Sequence, residues 1–449
     1  MRAAGALLGS AIGDALGAPF EFGPPHQFTR RFPSSARGPR TEMIGGGGFG
    51  WAAGEFTDDT QMAVVLGESL LANGGLDGAD VFERFRTWTR SARDVGSQTR
   101  AVLAGGDWQH AARAHFERTG RAAGNGSLMR ATTSALYAAS APLSESIDLA
   151  RAQSAVTHGD PAAGWGAAIY HGMLHAALRG DDPMAALPGI LAELPEPHRS
   201  RYTDLLTATS PTDDEPANGS VWTCLAQAVR VLRNSSSFED AMRHVCDVGG
   251  DVDTVACVTG GLAGGWFGVQ SIPSRWVTHV HGRVGDTAYR NADLQVLAAR
   301  LIGRRLSPMA PDVPPRGPVR IRPGVLAANT LGAVATPADH AVLSLCRVGD
   351  RFADRAYRRE FFLIDQPGAN PGLAAVIADA VAEIDAFRAA DIPVVVHCHA
   401  GESRTGLVLR SWLMHHDGVD AETAAAELSS RWPHLTRVND DFEALLAAG

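Results

Sequence analysis

The sequence predicts a multidomain protein: a large all-α domain followed by a small α/β domain. Three observations carry this. The chain has 449 residues, more than one hydrophobic core ordinarily organises. Residues 1–305 repeat apolar positions at three and four and hold few alternating strand patterns. Beyond a proline-dense stretch the pattern changes to short apolar runs alternating with helical ones.

The N-terminal "MRAAGALLGSAIGDALGAPF" superficially resembles a secretory signal, with Arg2 ahead of small apolar residues. Asp14 interrupts that run, however, and no stretch reads as long and apolar enough to span a bilayer. Helical segments such as "TQMAVVLGESLLANG", "AAIYHGMLHAALRG" and "TCLAQAVRVLRNSSSFEDAMRHVC" follow, separated by Gly, Pro, Asp and Asn clusters. "SPMAPDVPPRGPVR" cannot continue a helix and marks a linker, residues 306–319. Residues 320–449 then offer "AVLSLCRV", "FFLID" and "PVVVHC" as buried strands, with "GLAAVIADAVAEIDAFRAAD" as a helix between them. That alternation implies a largely parallel sheet.

Composition narrows the function. Hydrophobic residues make up 45% and charged residues 20%, which suits globular folding. A net charge of -9 repels nucleic-acid backbones, leaving room only for a local basic pocket. Nucleic acid and membrane are therefore not expected as partners. There is no lysine, so arginine supplies every fixed positive side chain. The five cysteines carry no C-x-x-C spacing, which points to neither a disulfide framework nor a thiolate zinc site; a reducing cytoplasm is expected.

"VVVHCHAGESRTG" reads as strand, tight loop and helix, with Cys398 at the strand end and Arg404 after five intervening residues. Such a loop turns its backbone N–H groups inward as an anion cradle, and Gly401 gives it conformational freedom. The same field favours the thiolate form of Cys398. Arg404 can grip two phosphate oxygens through its planar fork. The bland alternative, a structural cysteine beside an incidental arginine, leaves the joint placement of His397, Cys398, Gly401, Arg404 and Thr405 unexplained.

This segment resembles the H-C-x5-R-[ST] signature of the protein tyrosine and dual-specificity phosphatases. The resemblance implies that Cys398 is the nucleophile forming a phosphocysteine and that Arg404 stabilises the transferring phosphoryl group. Thr405 would assist thiolate departure, while Gly401 and Ser403 would line the phosphate-binding loop. The family also needs an aspartic acid on another loop as general acid, then base. Asp365, ending "FFLID" before the turn-forming "QPGANPG", is the candidate, with Asp354 and Asp391 as weaker alternatives. Its bland reading is a solvated turn residue.

"TDDT", Thr57 to Thr60, opens an apolar helical run, and "GGDVDT" places Asp251, Asp253 and Thr254 at another helix start. Taken singly, each is a helix cap. Taken together, four carboxylates in one cleft would repel unless protonated or neutralised by a cation. Ligands that are all oxygen select hard ions such as Mg²⁺, with Mn²⁺ or Ca²⁺ also admitted, and the acids suffice for two ions.

"GALLGSAIGDALGAPFEF", "GEFTDDTQM", "GNGSLMRA", "THGDP" and "GGDVDT" occur in this order, and together they resemble the ADP-ribosylglycohydrolase family. The resemblance implies an all-helical fold with two Mg²⁺ ions in a cleft. It assigns Thr57, Asp58, Asp59, Asp251, Asp253 and Thr254 as metal ligands and Glu21 as a catalytic residue near the metals. Asn125, Gly126, Ser127, His158 and Asp160 fall in segments that form or support the ADP-ribose cleft. Either Asp59 or Glu21 would handle the proton. Val252 and Thr133 depart from the family pattern without removing a ligand. The glycine run "GGGGFGW", Gly45 to Trp51, could allow close backbone approach to a ligand or form a surface loop.

The expected protein is thus a bifunctional hydrolase. One activity releases ADP-ribose from a modified protein side chain; the other hydrolyses phosphomonoesters on a phosphoprotein or small molecule. The rival readings are a binding module with one inactive domain, and a hydrolase of small ADP-ribose-derived metabolites.

Overall fold

The computed structural model describes residues 1–208, 217–306, 309–435 and 439–448. Part of the expected linker, residues 307–308, lies outside them. The chain divides into two compact units. The first holds residues 1–34, 43–272 and 279–306; the second holds 35–42, 273–278 and 307–449.

The first unit is built around two helices, Arg2–Gly17 and Val252–Phe267. Gly5, Gly9, Gly13 and Gly17 form a stripe at four-residue spacing along the first. A Cβ at Gly9 would stand 2.2 Å from the Gly260 carbonyl oxygen, and one at Gly13 would stand 2.0 Å from that of Ala256. The two backbones are therefore in contact, which only the absent side chains permit. At the end of the stripe Gly17 abuts the Asp253 backbone, with Cβ to Cα at 2.5 Å. Helix packing thus fixes where the second aspartate motif sits.

Extended through Phe20, the first helix is long and apolar enough to cross a membrane, contrary to the reading of the sequence. Some 89% of that window is buried within the protein. Its apolarity is that of a core helix. A second departure is a hairpin of β1 (His281–Val284) and β2 (Thr287–Arg290) in the otherwise helical unit. Its Gly285–Asp286 turn, with Gly285 at φ +56°, is a hairpin signal.

The second unit is a five-stranded sheet ordered β3 (Val319–Arg322), β4 (Val325–Asn329), β7 (Val394–Cys398), β5 (Ala341–Ser344), β6 (Arg358–Glu360). Only β3 runs antiparallel to its neighbour. β7 is central and wholly buried, as its unbroken Val-Val-Val run requires. The helices Leu373–Ala389 and Ser403–Asp417 pack on the sheet through Ile377, Ile384, Leu407 and Trp412. The Cys398 loop lies at the carboxyl end of the central strand, where parallel sheets carry their ligands.

Candidate active sites: an acid-lined cleft and a cysteine loop

The helix Asp58–Asn73 begins at Thr57, yet the Thr57 side chain makes no capping hydrogen bond. Its hydroxyl instead donates to Asp59 Oδ2 at 3.2 Å. The cap is supplied from the first helix. Asp14 accepts from the Thr57 N–H at 2.9 Å, the Thr60 N–H at 3.0 Å and the Thr60 hydroxyl at 2.6 Å. Asp251, at the start of the helix Val252–Phe267, makes no cap either. It accepts from Asn125 Nδ2 at 2.8 Å, while its own N–H donates to Asn218 Oδ1 at 2.7 Å. At both helix starts the simple capping reading fails. The side chains are held for something else.

They converge. Asp14, Asp59 and Asp253 present oxygens within 4.8 Å of one another, as do Glu21, Asp251 and Asp253. Asp253 is common to both groups. The Thr254 hydroxyl reaches Asp59 Oδ2 at 3.5 Å across 195 positions of sequence. Glu21 Oε2, Asp59 Oδ1 and Asp253 Oδ1 are buried without a hydrogen-bond partner. Burial, then repulsion from neighbouring carboxylates, pushes the carboxyls of Asp58, Asp59 and Asp253 well above the usual range and that of Glu21 up to about 8. Orphaned, mutually repelling oxygens of this kind are the donor set a hard divalent cation requires. The residues fit the group.

The cluster opens into a cavity of about 410 Å³ lined in part by Glu21, Phe22, Asp58, Asp94, Asn125, Gly126, His158, Asp251, Asp253 and Thr254. The His158 ring lies against Gly124 and Gly126, and Thr157 Oγ1 is 2.8 Å from its Nδ1. Burial, reinforced by Arg130, holds His158 well below its ordinary pKa, so it is neutral in the cleft. Of the five residues expected to form or support the ADP-ribose cleft, two do not line this cavity. Ser127 is fully buried and bonded to Ser154 Oγ at 2.7 Å. Asp160 caps the helix Pro161–Arg179 by accepting from the Ala162 N–H at 2.9 Å. Both support the walls. The glycine run also stays off the cavity lining, folded back through a Gly46–Trp51 bridge.

Sequence reasoning missed Asp14, Asp94 and Asn218. Asp14 was visible as the one acid in an apolar helix, a position that demands a buried partner. Asp94 and Asn218 sit in loops without a distinctive pattern. Asp14→Ala should destabilise the protein by about 3 kcal/mol, because it strands three donors in the interior. Chemical denaturation measures this.

In the second unit, Cys398 is 2% exposed. Gly401 takes φ +73°, and a Cβ there would meet Trp432 at 2.9 Å and the Ala328 carbonyl at 3.0 Å. Arg404 Nη1 donates to the Leu363 carbonyl at 3.2 Å. Arg404 Nε and the Thr405 hydroxyl are buried at the loop without a hydrogen-bond partner. The His397 ring accepts or donates through Nε2 to Ser344 Oγ at 2.7 Å, and burial lowers its pKa to about 3. Asp365 is drawn to the same loop: Ser403 Oγ donates to it at 2.7 Å, Asn439 Nδ2 at 3.2 Å, and Arg404 Nε stands 4.0 Å away. The residues read from sequence as nucleophile, cradle and acid are therefore neighbours. Asn439, which steadies the aspartate, carried no signal.

Residues 1–310 match the family model described as ADP-ribosylglycohydrolase, and residues 365–448 that of the dual specificity phosphatase catalytic domain. The chain is 32% identical over 327 residues to the ADP-ribosylarginine hydrolase Tri1 of Pseudomonas putida, covering 68% of this chain and 82% of that protein. It is 30% identical over 308 residues to the ADP-ribosyl-[dinitrogen reductase] glycohydrolase of Rhodospirillum rubrum, covering 67% and 97% respectively. A solved structure described as an ADP-ribosylglycohydrolase-related protein complex superposes with a TM-score of 0.53 at 31% identity, covering 67% of this chain and 97% of that one. The chain belongs to the ADP-ribosylglycohydrolase family, and is a hydrolase fused to a dual-specificity-type phosphatase domain.

Proposed function

We propose that the first unit is a Mg²⁺-dependent hydrolase that removes ADP-ribose from arginine side chains, and that the second works through a phosphocysteine. The observation that carries the first reading is the set of buried, orphaned carboxylate oxygens gathered from two helix starts. Thr57, Asp58, Asp59, Asp251, Asp253 and Thr254 would hold two ions, with Mn²⁺ as a substitute. When bound, the ions supply positive charge that neutralises the cluster and orients ribose hydroxyls. Glu21, which faces the cavity with an unpartnered oxygen, is the group that takes the proton from the attacking water. Asp59 does not line the cavity, so the choice falls on Glu21.

Asp94 favours an arginine linkage. It adds a carboxylate to the cavity wall beside Glu21 and Asp58, whose acidity it weakens. A guanidinium leaving group complements that charge, whereas a serine hydroxyl does not. The Tri1 similarity supports the same choice. Release of free ADP-ribose from arginine-linked and serine-linked conjugates, with and without chelator, tests it. Faster release from the arginine conjugate, abolished by chelator, is expected; preference for serine would overturn the linkage.

In the phosphatase unit, Cys398 Sγ would attack phosphorus as Asp365 protonates the departing oxygen. Water would then cleave the S–P bond, giving up its proton to Asp365 and regenerating the thiolate. Asp365→Asn should lower kcat on an alkyl phosphate about 10²- to 10³-fold. The loss should be smaller on a nitrophenyl ester, whose leaving group needs little protonation. Steady-state kinetics on both esters read the difference. The five cysteines are free and buried, in keeping with the cytoplasmic location proposed for the chain.

A further inference from the structure

We propose that Arg316, in the proline-rich segment ahead of the sheet, is a positioning residue of the cysteine loop. It offsets the charge of Glu402 and holds the Ala400 carbonyl, so that the loop can receive an oxyanion. The inference rests on the phosphatase reading of that loop.

Glu402 is an awkward residue where it stands. It is the N-cap of the helix Ser403–Asp417, directly beside Ser403 and Arg404, yet its side chain makes no capping bond. A carboxylate there competes with a phosphate dianion for the positive end of the helix and repels it. Arg316 Nη1 donates to Glu402 Oε1 at 2.6 Å. The same nitrogen donates to the Ala400 carbonyl at 3.1 Å. An anion cradle needs its peptide N–H groups turned toward the ligand, hence its carbonyls turned away. One guanidinium meets both requirements.

Arg316 is itself fixed. Its N–H donates to Asn329 Oδ1 at 3.0 Å, and its carbonyl accepts from the Asn329 N–H at 3.0 Å. Asn329 is fully buried and pairs in register with Cys398, so the anchor and the nucleophile stand side by side on adjacent strands. Asn329 Nδ2 also donates to the Pro314 carbonyl at 2.8 Å. Further back, Asp312 takes a two-pronged ion pair from Arg351, at 2.7 and 3.0 Å. Pro314 and Pro315 restrict the backbone between Asp312 and Arg316, which lowers the entropy lost in holding the arginine. The segment read from sequence as a linker is, from Asp312 onward, a strap on the phosphatase loop.

The test is a double-mutant cycle in the full-length protein, read by orthovanadate inhibition of nitrophenyl phosphate turnover. Arg316→Ala should raise the inhibition constant, and KM with it, about tenfold, the scale of one charge-assisted contact. Adding Glu402→Gln to that variant should bring both back to within about threefold of wild type, because the unmasked charge is gone. If Arg316→Ala fails to fold, Arg316→Gln, which keeps a donor for Ala400 without the charge, carries the same comparison. An unchanged inhibition constant on losing Arg316 overturns the proposal, as does a loss that Glu402→Gln cannot repair. Wild-type protein that neither turns over the ester nor responds to vanadate would overturn the phosphatase reading itself, a result distinct from either.

Discussion

Asp253→Asn should reduce ADP-ribose release by more than about 10³-fold while leaving the phosphatase untouched, the scale expected when a charged group essential to the reacting centre is removed. Asp253 belongs to both acid groups, so its loss disables both at once. Stability should move the other way in metal-free protein. The folded carboxyls are raised, Glu21 from 4.5 to about 8, so the folded state holds protons that the unfolded chain has released. Stability of the metal-free protein therefore falls as pH rises across that window. Removing one charge from the cluster relieves the repulsion, so metal-free Asp253→Asn should melt higher than metal-free wild type at the upper end of the window. Added Mg²⁺ should raise the melting temperature of wild type and not that of the variant. Thermal melts at two pH values, with and without Mg²⁺, give all four comparisons.

Cys398→Ser should abolish phosphomonoester hydrolysis, by more than about 10³-fold, because an alcohol at the same position is neither ionised nor comparably nucleophilic. The cradle survives the exchange. Gly401 keeps its left-handed turn, Trp432 Nε1 still donates to the Gly401 carbonyl at 2.6 Å, and Arg404 is still presented. The variant should therefore bind tungstate with nearly wild-type affinity. ADP-ribose release should be unaltered, and chelator, which stops that release, should spare the phosphatase. Turnover persisting in Cys398→Ser would remove Cys398 from the chemistry.

Much of this was legible in the sequence where chemistry and local order coincide. The cysteine loop is short, so strand, turn, nucleophile and arginine are consecutive, and reading order is nearly reading geometry. The acid cleft is different. Its halves stand 195 positions apart, and nothing local brings Thr254 to Asp59. What does so is the glycine stripe, Gly5 to Gly17, which lets the two central helices touch backbone to backbone. That four-residue spacing was on view, and so was Asp14 inside it. In the sequence the acid reads as an interruption of an apolar run, yet it is the cap that frees Thr57. Ser127 and Asp160 support the cleft without lining it, which residue order alone does not tell. Their motifs adjoin the cleft, but each side chain turns to a structural bond that depends on a partner's position. Arg316 was hidden by its proline-rich surroundings, whose composition signals a linker and whose hydrogen bonds make a strap.

The account stands on a cation held between two remote helix starts. Titration of Mn²⁺ into metal-free protein, followed by electron paramagnetic resonance, tests it most directly. Saturable loss of the free-ion signal in wild type is expected, reversed by excess Mg²⁺ and absent in Asp253→Asn. An Asp253→Asn protein that takes up Mn²⁺ as wild type does would contradict it.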